Sequence, residues 1–322
     1  MMISTIKTKC PSCGLQRACR ELPYGGYYYK NTKMPLVSCG ICGLAFVVHN
    51  LSTSEINSFY DADDYFDSEY AGDGALSGYE ANRLEQEKKA KFALDVIRKY
   101  NKGGSLLEIG CAGGYFLKLA EDKYNFKTKG VEISRHMSSF GNKKLGLNIY
   151  CGTIDNVPRE WQNFDVIYMG DVLEHTSEPL ALINKVKSRM KVGGIVCLEL
   201  PLTYNWTFLG LLIGLTSMIK GKFGKLYFLP SQHRTRFIAK PPYHLLMFTK
   251  SAIKYFLEHN GFSVQYVKVY EGKPKVKFNA YKLYALLKTI FYFISTYLPQ
   301  NTFGDRMIVI ARLESSDGIH AI

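Results

Sequence analysis

Apolar residues in the middle of the chain fall into short runs separated by amphipathic stretches. Ser77 to Tyr100 reads as a helix, with Leu84, Phe92, Val96 and Tyr100 on one face and Glu85, Glu87, Lys88, Lys89 and Lys91 mostly outside it. Gly103-Gly104 ends it. Ser105 to Ile109 is a short strand of the fully buried kind, and a second helix starts at Tyr115. Further strands follow up to Lys129-Gly130-Val131-Glu132, over 147–151, and from Phe164 to Met169. A helix over 178–190, a turn at Gly193-Gly194 and a strand from Ile195 to Leu200 come next. The pattern closes with a helix over 250–259 and strands near 262–270 and 306–312. Strands that alternate with helices predict an α/β fold, a doubly wound parallel sheet.

The first strand runs into Gly110-Cys111-Ala112-Gly113-Gly114 and then a helix. A glycine-rich turn there lets a ligand approach the backbone and sets helix N–H groups against it. Glu132, at the tip of the second strand, is placed to accept both hydroxyls of a ribose. The loop departs from the dinucleotide pattern, because its middle position is Ala112. Glu108 stands immediately before it, where it would repel a pyrophosphate but hold a cationic amino acid. The fourth strand ends in Gly170-Asp171-Val172-Leu173-Glu174-His175.

These motifs resemble those of class I S-adenosylmethionine (SAM)-dependent methyltransferases. The resemblance rests on Leu107 to Gly114, Gly130-Val131-Glu132-Ile133-Ser134, Phe164-Asp165-Val166-Ile167, Asp171 to His175, Lys191-Val192-Gly193-Gly194 and Leu200-Pro201, in that order, and covers roughly residues 80–312. It implies a seven-stranded Rossmann-like sheet whose last strand, Asp305 to Arg312, is antiparallel. It further implies that Glu108, Gly110, Gly113 and Gly114, with Ala112 between them, line the methionine half of SAM, and that Glu132 takes the ribose. Ile133 and the turn Gly152-Thr153-Ile154 would flank the adenine, and Asp171 would lie beside the transferred methyl. Ala112 departs from the glycine common there; its methyl tightens the loop slightly.

Two Cys-x-x-Cys knuckles, Cys10-Pro-Ser-Cys13 and Cys39-Gly-Ile-Cys42, stand 25 residues apart near the N-terminus. Four thiolates in two tight turns suit a structural, tetrahedral Zn2+ in a ribbon-like segment. A redox dithiol or an iron–sulfur site would use the same residue type. Eight cysteines with no secretory pattern ahead of them argue against a disulfide scaffold. Cys19, Cys111, Cys151 and Cys197 stand singly and are expected to be reduced core residues. The chain therefore divides into a zinc-binding ribbon (1–50), a linker or lid plus helix (51–100) and a SAM domain (101–322) with an insertion at 202–240.

A cysteine-paired segment ahead of a SAM domain resembles the sugar methyltransferases of deoxysugar and surface-polysaccharide pathways. That likeness implies a histidine base after the fifth strand in a Tyr-rich segment, and Pro241 to Thr249, with Tyr243-His244, is the matching stretch. The longer C-terminal domain of the C-methylating members is missing, so O-methylation of a sugar hydroxyl stands beside C-methylation. His244 and His175 are the candidate bases because their ordinary pKa lies near neutral pH. The alternative for His244 is a packed ring between Tyr243 and Phe248; for His175 it is a structural hydrogen bond at the strand-four turn. Tyr60, Tyr65 and Tyr70 are candidates for a lid.

Charge adds a partner question. Residues 202–312 hold 16 Lys/Arg against three acids, and the remainder is neutral, so the net +13 sits in one region. Such a balance suits an anionic partner: a nucleotide sugar, a lipid-linked sugar at a membrane surface, or nucleic acid. Trp206 to Ile219 and Leu283 to Leu298 are apolar stretches too short or too interrupted to span a bilayer. They read as interfacial helices on a peripheral protein, as a buried cap or as a homodimer contact. With no signal pattern ahead of the first cysteine pair, a cytoplasmic location is expected. RNA methylation and a non-catalytic scaffold are the competing functions. The strand-four tip lacks the Asn-Pro-Pro-aromatic clamp for a base amino group, and Glu108 and Glu132 are intact, so both are disfavoured.

Overall fold

The computed structural model describes residues 4–23, 25–61, 79–80, 82–202, 237–270 and 304–315. The N-terminal region contains β1 (Thr5–Lys9), β2 (Gln16–Glu21), β3 (Gly26–Tyr29), β4 (Thr32–Met34), β5 (Leu36–Ser38) and β6 (Ala45–Val47). Helices α1 (Thr53–Asp61) and α2 (Arg83–Tyr100) lead into the main sheet. There β7 (Gly104–Ile109), α3 (Tyr115–Tyr124), β8 (Phe126–Glu132), α4 (Arg135–Leu145), β9 (Ile149–Cys151), β10 (Phe164–Gly170), α5 (Pro179–Arg189) and β11 (Met190–Pro201) alternate. The described chain ends with β12 (Phe237–Ile238), β13 (Leu246–Met247), α6 (Lys250–Glu258), β14 (Phe262–Tyr270) and β15 (Arg306–Leu313).

The seven-stranded sheet has the order β14-β15-β11-β10-β7-β8-β9. The strands from β11 to β9 pair in parallel, and β15 runs antiparallel to both of its neighbours, as expected. Its central strands read as near-continuous apolar runs because both faces are covered. Leu106, Val166, Ile195 and Ile308 pack on one face with Leu94, Ile97 and Leu117 of α2 and α3. Leu107, Ile167, Val196 and Val309 pack on the other with Ile183 of α5 and Phe256 of α6. Strand order reverses between β7 and β10, which opens a crevice at their C-terminal ends.

The cysteine-bearing segment is continuous with this body. Its sheet has the order β1-β2-β5-β6-β13, so its last strand comes from beyond residue 245. Leu246 pairs with Phe46 and Met247 with Ala45. A smaller sheet, β12-β3-β4, makes a second connection.

Four expectations need correction. The buried face of α2 is Ala90, Ala93, Leu94, Val96 and Ile97, whereas Leu84 is 70% exposed. Small alanines let α2 lie close to the sheet, and Phe92 and Tyr100 instead flank it against Tyr270 and Tyr266. Gly193-Gly194 lies inside the long strand β11, at the irregularity where pairing with β10 shifts between Phe164 and Val166. Cys151 is exposed at the end of β9, while Cys19, Cys111 and Cys197 are buried. The stretch read as linker contains α1. Its start is a reciprocal capping box: the Glu55 N–H donates to Ser52 Oγ (3.2 Å) and the Ser52 N–H donates to Glu55 Oε2 (3.0 Å).

Ser77 and Gly78, Tyr65, Tyr70, residues 203–236 of the insertion and Leu283 to Leu298 lie outside the described residues. Among the described residues no helix is long and apolar enough to cross a membrane.

Candidate active site

The loop after β7 folds as its sequence demands. Gly110 has φ +73°, and a Cβ there would come 2.5 Å from Val172 Cγ2. Gly114 caps α3 at φ +86°. Gly113 lies under the Tyr79 ring, which a Cβ would meet at 2.4 Å. Ala112 adopts φ +45°, a left-handed conformation that costs a residue with a Cβ on the order of 1 kcal/mol. A charge-assisted hydrogen bond offsets that cost, the Ala112 N–H donating to Glu132 Oε2 at 2.7 Å. The other oxygen of Glu132 accepts from the Ser134 N–H at 2.8 Å. Two backbone donors thus hold the carboxylate rigidly at the end of β8.

Glu108 is buried, and its Oε2 has no hydrogen-bond partner among the described residues. Burial, and secondarily the Glu132 charge, push its pKa well above the ordinary 4.5. A cation arriving here would reverse both effects. Glu108, Gly110, Ala112, Glu132, Ile133, Thr153, Ile154, Asp171 and His175 all line one cavity of about 470 Å³. Gly113, Gly114, Tyr243 and His244 do not line it and act from behind its wall.

At the opposite end, Asp171 sits at φ +55° just past β10. Arg306 Nη2 donates to it at 2.6 Å and also lies 3.3 Å from Glu199 Oε1. Partial desolvation raises the Asp171 pKa, but the Arg306 charge and hydrogen bond outweigh it and hold the carboxyl below its usual value. Glu199 is buried and also accepts from the hydroxyls of Tyr168 and Tyr270. Arg306 is therefore the counter-charge of two carboxylates that would otherwise be left unpaired at the end of β10 and β11.

His175 lies on a 3-10 turn, Leu173–His175. Its Nδ1 is 2.6 Å from the Tyr243 carbonyl, which can only accept, so Nδ1 carries the proton. The Tyr60 hydroxyl, 2.9 Å from Nδ1, donates to the same carbonyl at 2.8 Å. The Leu245 N–H donates to the Glu174 carbonyl, which docks the 243–245 segment on the turn. His244 is thereby brought beside His175, with ring centroids 4.9 Å apart. Burial, and next the neighbouring His175, push the His244 pKa down to about 3, so its ring is neutral. Tyr243 contributes its carbonyl; its ring packs edge-on against Phe59.

Residues 81–267 match the family model described as a methyltransferase domain, which is more than half of the chain. The chain belongs to the methyltransferase-domain family. Ubiquinone biosynthesis O-methyltransferase of Coxiella burnetii is 30% identical to it over 98 residues, covering 29% of this chain and 42% of that protein. Geranyl diphosphate 2-C-methyltransferase of Streptomyces lasalocidi is 29% identical over 118 residues, covering 30% and 39%. This chain spans less than half the length of either relative. Among solved structures, a SAM-dependent methyltransferase from Archaeoglobus fulgidus is 17% identical with a TM-score of 0.44, covering 77% of this chain and 98% of that one. Phosphoethanolamine N-methyltransferase 2 of Haemonchus contortus, in complex with SAM, is 14% identical with a TM-score of 0.49, covering 84% and 62%. At these scores the fold rests on the strand order given above.

In this methyltransferase-domain protein the two knuckles converge. Cys10 Sγ is 3.5 Å from Cys42 Sγ, and Cys13 Sγ is 3.8 Å from Cys39 Sγ. Zn–S bonds of about 2.3 Å around a tetrahedron would put sulfurs roughly 3.8 Å apart, so the four donors fit that geometry. Sequence reasoning named these four cysteines and the carboxylates Glu108 and Glu132 but missed Arg306 and Glu199. The available signal was Glu199 itself, a lone acid inside the apolar strand Ile195 to Leu200. An acid buried in a strand needs a cationic partner.

Proposed function

We propose that this protein transfers a methyl group from SAM to a hydroxyl of a small acceptor, a sugar carried on a nucleotide or a lipid. The observation that carries the reading is the pair of buried carboxylates at the ends of β7 and β8. Glu108 offers an unpaired oxygen to the cationic amino-acid part of SAM, and Glu132 stands where a ribose would lie. Ile133, Thr153 and Ile154 form the wall for the adenine, and Asp171 closes the far end. When bound, SAM supplies an electrophilic methyl group on a sulfonium. The protein's part is to align the acceptor oxygen and help it lose its proton. His175 lines that end of the cavity as the candidate base, and the His244 ring packs beside it.

The cavity volume lies within the range of small-molecule sites, about 300–1,000 Å³, which suits a cofactor of SAM's class. The relatives' names include an O-methyltransferase of ubiquinone biosynthesis and a malonyl-[acyl-carrier protein] O-methyltransferase, also consistent with oxygen acceptors. The four knuckle cysteines hold a structural Zn2+ in this reading; with no free position on the ion, its role is to fix the sheet that ends in β13. The test is methyl-labelled SAM offered with nucleotide sugars, lipid-linked sugars and RNA in parallel. Label in a sugar fraction, reduced at least 100-fold in His175→Ala, is expected. Label in RNA alone would contradict the acceptor class.

A further inference from the structure

Glu108 is 6% exposed and lines the cavity at the end of β7, and its Oε2 has no hydrogen-bond partner among the described residues. A buried carboxyl of this kind calls for a cationic ligand. Under the methyltransferase reading that ligand is the ammonium of the cofactor's amino-acid half. The carbon that carries the ammonium also carries a carboxylate. Placed near Glu108 and Glu132 without a cation of its own, that carboxylate would be repelled by both.

Two cations among the described residues line the cavity, Lys89 and Lys185. Lys185 pairs through Nζ with Asp155, next to the Thr153–Ile154 wall. Arg306 stands outside the lining and is shared between Asp171 and Glu199. Lys89 has no such tie. The ion pairs along its helix join Arg83 to Glu87, Lys88 to Glu85 and Lys91 to Asp95, and none includes it.

The position of Lys89 suits an anion beside Glu108. Gln86, Lys89 and Ala90 share one face of α2 and line the cavity. Just ahead of α2, Tyr79 stacks on Tyr115 at the start of α3, with ring centroids 4.8 Å apart, and lies over Gly113. The early turns of α2 are thereby held against the glycine loop that follows Glu108. The Lys89 charge also acts on Asp171, behind the larger effect of Arg306, so it lies near the ends of both β7 and β10. Gln86, one turn earlier, brings an amide that can donate to the same anion.

We propose that Lys89, assisted by Gln86, binds the α-carboxylate of the cofactor's amino-acid half while Glu108 takes the ammonium. Lys89 is then a specificity-determining residue. The pocket reads an intact amino acid rather than the adenosine alone, and it discriminates against decarboxylated SAM. This inference deepens the methyltransferase reading and rests on it.

The test is calorimetric titration of the full, zinc-loaded chain with three probes: S-adenosylhomocysteine, its decarboxylated analogue, and methylthioadenosine, which lacks the whole amino acid. Wild type should bind S-adenosylhomocysteine at least about 10-fold more tightly than the decarboxylated analogue, the worth of one charge-assisted hydrogen bond. Lys89→Met should erase that difference, weakening S-adenosylhomocysteine about 10-fold and leaving the other two probes within about twofold. Lys89→Arg keeps the charge and should keep most of the preference. Lys89 is exposed, so thermal melts of Lys89→Met should match wild type. Unchanged affinity of Lys89→Met for S-adenosylhomocysteine would overturn the assignment. So would an equal loss for all three probes, the mark of a displaced helix. In both cases binding by wild type would leave the methyltransferase reading standing. A folded wild type that binds none of the three would remove that reading, and this inference with it.

Discussion

At the cofactor end of the cavity, Glu108, Gly110, Ala112 and Glu132 come from one β–α–β unit, and the key hydrogen bond joins residues only 20 positions apart. At the acceptor end, the Arg306–Asp171 pair spans 135 positions and the Tyr60–Tyr243 bond spans 183. The first end is specified by local residues on contiguous elements. The second exists only once the whole sheet has closed and the N-terminal knob has docked on β13. A disturbance of distant packing should therefore damage acceptor handling before it damages cofactor binding.

The harshest test of that contrast is Cys39→Ser. If the four thiolates hold Zn2+ as proposed, losing one should release it and cost on the order of several kcal/mol of stability in the knob. Metal analysis and hydrogen exchange over β6 and β13 would register it, while affinity for S-adenosylhomocysteine should stay within about threefold. Next is Arg306→Met, which leaves Glu199 buried and Asp171 half-exposed without their counter-charge. Denaturant unfolding should show a loss of about 3 kcal/mol, most of it from Glu199.

Glu108 gives a smaller effect with a defined sign. Its pKa is raised in the fold, so the unliganded native state holds a proton that the unfolded chain releases near pH 4.5. The resulting stability is complete below pH 4.5 and is lost as pH rises through the higher native value. Thermal melts between pH 4.5 and 8 should show wild type losing stability relative to Glu108→Gln as pH increases. The smallest effect is expected for Ala112→Gly. It relieves the left-handed strain and gives back part of the gain to unfolded-chain entropy, for a net change under about 1 kcal/mol in melting experiments.

The same contrast explains what the sequence disclosed. Glycine spacing and an acid at each strand tip sit within one short segment, so the loop, Glu108 and Glu132 could be read directly. The paired knuckles were equally local in character. Arg306 could not be read that way, because nothing near it in sequence marks it as the partner of Asp171. Leu84 misled because helical spacing does not say where a helix outruns its sheet. Helix α1 was legible in the Ser52-x-x-Glu55 box, and an Asp- and Tyr-rich composition drew attention away from it.

The central claim is that the β7–β8 end is a SAM site built around Glu132. Calorimetric titration of the zinc-loaded wild type and Glu132→Ala with S-adenosylhomocysteine tests it most directly. Micromolar binding to wild type, weakened about 100-fold in the variant, is predicted from the loss of charge-assisted hydrogen bonds worth about 1.5–3 kcal/mol each. No binding by folded wild type, or equal binding by both proteins, would contradict it.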